Sequence, residues 1–193
     1  MKFKTFILCA AACLTTACAM NRPVMNVNPR LKEYNPQVFV ILPFENRDTF
    51  EKKEGAPYIV RDAFEASFVK TGYQIVSRDK MDTLLEEIEF SFSEITDTRG
   101  IQVAKMLNAD AVVLGTILDY GYLYISLSVK AIDVETGAII WQGSYSKKVP
   151  WYRLDILPVL THITEKLVDK YLQAEKAILS ASVSYTHLTL PTN

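Results

Sequence analysis

The eight residues AVVLGTIL at positions 111–118 decide the fold of this chain. The run is apolar at nearly every position, which is typical of a strand whose two faces are both covered. A second run of this kind, VFVIL at 38–42, is closed by Pro43. Two such strands in one chain predict a sheet that lies between two layers of helices.

The strand that follows has a different pattern. Over residues 122–133 apolar and polar residues alternate, which indicates an antiparallel strand with one open face. The turn signal VETG at 134–137 then predicts a hairpin with residues 138–145. The polar face of the strand carries Tyr122, Tyr124, Ser126, Ser128 and Lys130, and Leu123 is expected on the apolar face with Ile125, Leu127, Val129 and Ala131.

Helical periodicity accounts for most of the remaining chain. Apolar residues recur at helical spacing over 60–71, 77–88 and 96–108, and again from Pro158 for about 22 residues. A short strand is predicted at 73–76. The order β-α-β-α-α-β-β-β-α predicts a single three-layer α/β domain over residues 36–182, with a mixed β-sheet flanked by helices.

The first 17 residues have the features of an export signal. Lys2 and Lys4 precede an apolar run that is too short to span a membrane. The sequence LTTAC at 14–18 resembles a bacterial lipobox, although Thr15 stands where leucine is usual. This resemblance implies that Cys18 carries acyl chains such as palmitate and anchors the protein in the outer membrane, facing the periplasm. The alternative is ordinary cleavage after Ala19, which would release a soluble protein.

Two segments are predicted to lie outside the folded domain. Residues 18–35 contain Pro23, Pro29 and several asparagines, with few large apolar residues, and are predicted to form a tether. Residues 183–193 look like the translation of a sequencing adapter, so we expect them to be an artefact; the alternative is a natural apolar tail.

Five segments in order resemble the CsgG-type envelope lipoproteins, a family that includes the curli secretion channel and the LpoB-like activators of penicillin-binding proteins. The segments are VFVILPF at 38–44, GYQIVSR at 72–78, DTLLE at 82–86, AKMLNADAVVLG at 104–115 and IDVETGAIIW at 132–141. The channel members insert two long hairpins into the membrane, and a strand that crosses a membrane needs about 9–11 residues. Both insertions are missing here, at 117–121 and at 144–148, so we expect no pore.

The resemblance implies a function in protein binding. It predicts a lipoprotein whose periplasmic domain binds or activates an envelope protein, such as a peptidoglycan synthase. The alternative is an accessory or oligomeric subunit of a secretion or curli-type assembly, and a homo-oligomer is compatible with both. The predicted partner interface consists of Tyr122, Tyr124, Trp151 and Tyr152, because aromatic side chains on a polar strand face often anchor interfaces. The alternative is that the C-terminal helix covers this face.

The composition offers little for catalysis or for metal binding. The chain has two histidines and three cysteines in 193 residues, and its formal net charge of −1 does not favour nucleic-acid binding. It contains neither a glycine-rich phosphate loop nor a nucleophile elbow. We therefore expect no enzyme, no metal and no cofactor. Glu86, Glu87 and Glu89 are predicted to lie on a solvated helix face, and His162 is predicted to be a boundary histidine.

Overall fold

The computed structural model describes residues 22–48, 55–88, 96–121, 123–150 and 155–181. None of the helices within these ranges is both long enough and apolar enough to span a membrane. The elements in chain order are β1 (Val24–Val27), α1 (Leu31–Tyr34), β2 (Val38–Ile41), β3 (Glu45–Asn46), α2 (Ala56–Phe68), β4 (Gln74–Ile75), α3 (Arg78–Glu87), α4 (Asp97–Met106), β5 (Ala111–Tyr120), β6 (Tyr124–Asp133), β7 (Ile139–Lys148) and α5 (Leu157–Ala181).

The strands form one seven-stranded mixed sheet. Its order is β1-β7-β6-β5-β2-β4, and β3 pairs with β5. The β2 strand runs parallel to β4 and β5, whereas β5, β6, β7 and β1 pair antiparallel in succession. The predicted mixed sheet is therefore confirmed.

Two apolar cores lie on opposite faces of this sheet. Helices α2 and α5 cover the first face, and helices α3 and α4 cover part of the second. Alternate residues along β2 and just after it are buried in opposite cores. Phe39 and Ile41 belong to the first core, while Val40 and Leu42 belong to the second. The predicted three-layer arrangement is confirmed, because a strand that is apolar at every position can be buried on both sides.

A close approach between β5 and the segment after β2 depends on Gly115. A Cβ atom at this position would lie 2.2 to 2.4 Å from three carbons of the Phe44 ring. Phe44 is fully buried, and its ring packs against that of Phe64 with centroids 5.9 Å apart. The glycine therefore provides the space in which Phe44 lies against the sheet.

The predicted tether over residues 18–35 is wrong from Val24 onward. The β1 strand pairs antiparallel with β7, with Val24 opposite Ser144, and Leu31 of α1 is buried in the first core. The sequence prediction missed β1 because a four-residue edge strand owes its structure to the strand beside it more than to its own periodicity. The folded domain therefore begins before residue 36.

A buried carboxylate with two phenols holds α5 in place. The Tyr171 hydroxyl donates a hydrogen bond to Glu175 Oε1 at 2.9 Å, and the Tyr73 hydroxyl donates to the same oxygen. Burial, together with the hydrogen bond to Glu175, raises the pKa of Tyr73 to about 12. Burial likewise raises the pKa of Tyr171, since a phenolate would be poorly solvated there. Both phenols are therefore protonated wherever the domain is folded at neutral pH.

We expect the free energy of unfolding to fall as the pH rises from about 10 toward 12. The Tyr73 hydroxyl has a pKa of 10.0 without the fold and about 12 within it, so the unfolded chain releases a proton that the folded chain retains. The contribution is fully present below this window and is lost across it. Urea denaturation below and within the window measures the effect. The Tyr73→Phe variant should show a flatter pH dependence, and an unchanged slope would contradict the prediction.

Candidate functional site

One polar face of the sheet lies open to solvent. It is called the open face here, and it is the side of β5, β6 and β7 opposite to the buried residues Leu127 and Val129. The first turn of α4 approaches it, through an ion pair between Lys130 and Asp97 with Nζ and Oδ1 2.7 Å apart. The open face includes Thr116, Ser126, Ser128, Lys130, Gln142, Ser144 and Ser146, with Tyr124 at one end.

A groove runs along the open face beside β3 and α4. Its volume is about 260 Å³, and its walls include Arg47 and Glu45, whose Nε and Oε1 atoms are 2.8 Å apart. A shallower depression of about 130 Å³ continues past Ser128 toward Asn26 of β1. Hydroxyl, amide and charged groups dominate this surface. Such groups can pair with the backbone and polar side chains of another protein.

Strict alternation in β6 explains why this face is open. Every second residue from Ile125 to Val129 points into the first core, where α5 supplies Leu160, Leu167 and Tyr171. The C-terminal helix thus packs on the apolar face of the hairpin. The alternative that it covers the polar face is wrong for the described part of the strand.

The predicted interface residues fall in different places. Tyr124 is 45% exposed and lies at the start of β6, opposite Lys148, so the structure places it at one end of the open face. Leu123, which is expected on the apolar face, is 64% exposed, although its carbonyl accepts a hydrogen bond from the Val149 amide at 2.8 Å. Cys18, Tyr122, Trp151 and Tyr152 lie outside the described residues and stay predictions.

The remaining titratable candidates have surface positions. Glu86 and Glu87 are exposed on α3, as predicted, and Glu89 lies outside the described residues. His162 is half-buried with its ring centroid 6.3 Å from that of Tyr145. Burial lowers the pKa of His162, and the nearby charges of Lys147 and Lys166 lower it further. The described residues contain no cluster of histidine, cysteine and acidic side chains suited to a metal ion.

A buried ion-pair network, which the sequence did not predict, joins the two helical layers. The Arg61 side chain on α2 is fully buried, with Nη1 3.1 Å from Asp82 on α3 and Nη2 2.8 Å from Asp62. Arg78 contacts the same two carboxylates from the solvent side. The Arg61 guanidinium also lies over the Tyr58 ring, 5.3 Å from its centroid. The network connects α2 of the first core to α3 of the second.

A signal for this network is present in the sequence. Arg61 precedes Phe64 and Phe68 at helical spacing and therefore shares the buried face of α2. A cation on an otherwise apolar stripe requires a partner within the fold. Which carboxylates serve as partners depends on where α3 packs, and that is a tertiary property.

This chain shares its fold with proteins of known structure. The chain matches no family model, and no curated protein matches it in sequence. Its structure resembles the PelC dodecamer from Paraburkholderia phytofirmans, with 16% identity, 76% of this chain and 93% of that chain covered, and a TM-score of 0.52. Lipoprotein GNA1162 from Neisseria meningitidis gives 15% identity, 81% and 100% coverage, and a TM-score of 0.52.

A third solved structure has a lower TM-score against this chain than PelC and GNA1162 have. The LpoB C-terminal domain from Escherichia coli gives 16% identity, 62% and 93% coverage, and a TM-score of 0.47. At these identities the matches with PelC and GNA1162 show a common fold. The more specific resemblance to the CsgG-type family stays a prediction from the sequence segments.

Proposed function

We propose that this protein is a non-catalytic lipoprotein of the outer membrane, anchored through a lipid on Cys18, whose periplasmic domain binds an envelope protein. The observation that carries the proposal is the open face. Helices α3 and α4 cover only part of the second face of the sheet, and the remainder on β5, β6 and β7, lined by hydroxyl, amide and charged groups, is suited to recognition. The fold shared with GNA1162, which is named as a lipoprotein, supports the anchor.

The open face would bind its partner by pairing polar groups along the groove. Lys130 with Asp97, and Arg47 with Glu45, place charges of both signs at its rim. Complementary charges on a partner would favour encounter and fix its orientation. Tyr124 would act as an aromatic anchor at one end, and Tyr122, Trp151 and Tyr152 are predicted to join it. Attachment to the membrane would raise the local concentration of the domain near membrane-bound partners.

The anchor can be tested by membrane fractionation of the full chain in a Gram-negative host. Cys18→Ala should disappear from the outer-membrane fraction of a density gradient, because no thiol remains there to accept the lipid. Cys13→Ala provides a matched control, since this cysteine lies within the predicted signal. It should stay with the outer membrane. Retention of Cys18→Ala in that fraction would contradict the anchor.

The open face can be tested by site-specific photocrosslinking in intact cells. A photoreactive residue in place of Ser128 or Gln142 should give a discrete adduct, because a bound partner would lie within reach of the groove. The same residue in place of Lys105, which is exposed on α4, should give none. Identical adducts at all three positions, or none at any, would argue against the open face as the binding surface.

The second candidate is a subunit of an oligomeric assembly, such as a secretion complex. The observation that favours it is the shared fold with PelC, which is described as a dodecamer. In the crosslinking experiment this candidate gives an adduct of two copies of the chain, each of 21.8 kDa without its lipid and before processing. Native mass spectrometry of the detergent-extracted protein then determines the number of subunits.

A further inference from the structure

The direction of β1 determines which end of the domain faces the anchor. Val24 lies opposite Ser144 of β7, and β7 continues from there to Lys148, which lies opposite Tyr124 at the start of β6. Because β1 and β7 are antiparallel, the chain that precedes Val24 leaves the sheet toward the connection between β5 and β6. The turn between β6 and β7, which includes Glu135, lies at the opposite end of the sheet.

The length of chain before β1 is short. Cys18 precedes Val24 by six residues, which span at most about 20 Å when fully extended. The sheet itself continues from Ser144 to Lys148 over four residues, or about 13 Å. If residues 18–24 continue in the direction of β1, about 13 Å of their reach of about 20 Å runs alongside β7. A lipid on Cys18 can therefore lie at most about 7 Å beyond the end of the sheet at Lys148. The end of the sheet that β1 points to must then lie close to the lipid leaflet.

This end of the sheet carries exposed apolar side chains. Leu118 is 51% exposed, at an irregularity of the β5–β6 pairing between Ile117 and Asp119, and Leu123 is 64% exposed. Leu118 and Leu123 are called the hairpin tip here. Leu118 lies near the end of β5 and Leu123 directly precedes β6, so this end of the sheet presents large exposed apolar side chains. They are common where a protein contacts the boundary of a bilayer.

The charges around the hairpin tip suit a phospholipid surface. Lys148 and Arg22 are exposed on this side, and Lys147 lies beside them on β7. Two carboxylates at this end of β5 are engaged within the fold, since Asp119 Oδ1 accepts a hydrogen bond from the Gly121 amide at 3.0 Å and Asp48 Oδ2 accepts one from the Tyr120 amide at 2.9 Å. Basic residues beside exposed apolar ones favour contact with anionic headgroups. The charge pattern and the position of the anchor thus agree.

We infer that the hairpin tip rests in the interfacial region of the phospholipid leaflet that holds the lipid of Cys18. This inference rests on the proposed anchor at that residue. Leu118 and Leu123 contact the boundary between headgroups and acyl chains, and Lys148 and Arg22 face the phosphate groups. The sheet then stands upright on the leaflet. Its open face points sideways into the periplasm, where a partner can reach the groove without displacing lipid.

The test uses the acylated full chain in vesicles of phosphatidylethanolamine and phosphatidylglycerol. An environment-sensitive thiol probe is attached to the Leu123→Cys variant, because the mature acylated protein has no other free thiol. The matched control is Glu135→Cys, which is exposed at the opposite end of the sheet. Lipids with a nitroxide at the headgroup or on the acyl chain then report contact. We expect loss of most of the fluorescence at position 123 and none at position 135.

The outcomes separate this inference from the proposed function. Mass spectrometry of the same sample determines whether Cys18 is acylated. Equal quenching at both positions, or no quenching at either, in an acylated sample would overturn the orientation and leave the anchor intact. An unmodified Cys18 would overturn both. The Leu118→Cys variant provides a second measurement at the tip and should follow position 123.

Discussion

Replacing Arg61 by alanine is expected to lower the free energy of unfolding by about 3 kcal/mol. The Arg61 guanidinium is fully buried, and its side chain fills space between α2 and α3. Its removal leaves a void in that space and separates Asp82 from its buried partner. Urea denaturation followed by circular dichroism measures the change, with the slope of the transition as a check that the unfolded state is unaltered.

Arg78→Ala is the matched control for this prediction. Arg78 contacts the same carboxylates as Arg61, but about half of its side chain is exposed. Ion pairs at exposed positions contribute about 0–1 kcal/mol, so a small effect is expected. Arg61→Met retains most of the volume without the charge, and it should recover part of the loss seen with alanine. Equal losses for Arg61→Ala and Arg78→Ala would contradict the buried role.

The Gly115→Ala variant is expected to lose about 2–3 kcal/mol of stability. The added methyl group would overlap the Phe44 ring, which is buried against Phe64 and has no solvent into which it can move. Either β5 or the segment that carries Phe44 must shift. The same denaturation experiment measures the loss, and proton chemical shifts of the Phe44 ring report the displacement.

Two further variants make this prediction specific. Gly121→Ala introduces the same methyl group on the same hairpin, where its nearest neighbour is the Asp119 side chain at 3.2 Å. A change within about 0.5 kcal/mol is expected there. In a Phe44→Leu background the Gly115→Ala substitution should be much less harmful, because the smaller side chain leaves room for the methyl group. Additive effects of the two substitutions would show that overlap with Phe44 is not the cause.

The sheet could be predicted where the pattern of one strand is enough to define it. Residues 111–118 and 38–42 are apolar on both sides, and the structure buries them between helices. The alternation in β6 likewise predicts which side of the hairpin is polar, and Ser126 to Lys130 lie on the open face as expected. These signals are local, because burial of a strand follows from its own residues.

Other features depend on contacts that are distant in sequence. The β1 strand becomes a strand only through pairing with residues 141–144, which no pattern in residues 24–27 specifies. The sequence does not determine which side of the sheet α5 covers. An amphipathic helix can pack on either side, and the choice depends on the contacts that the helix makes in the folded domain. Leu123 alternates with Ile125, and its carbonyl accepts a hydrogen bond from the Val149 amide at 2.8 Å, yet its side chain is 64% exposed. Burial at the end of a strand depends on which other elements reach it, and that is a tertiary property.

The pairing of β1 with β7 has a mechanical consequence. Under the proposed anchor at Cys18, a displacement between the membrane and a partner bound at the open face would pull on the chain that precedes Val24, and the component of this force along β1 runs parallel to its pairing with β7. In that direction the force is shared in shear among the hydrogen bonds between the two strands. The same strand peeled from the far end would open one bond at a time. The edge strand would thus give the domain an attachment that resists this force, on the side from which the proposed anchor extends.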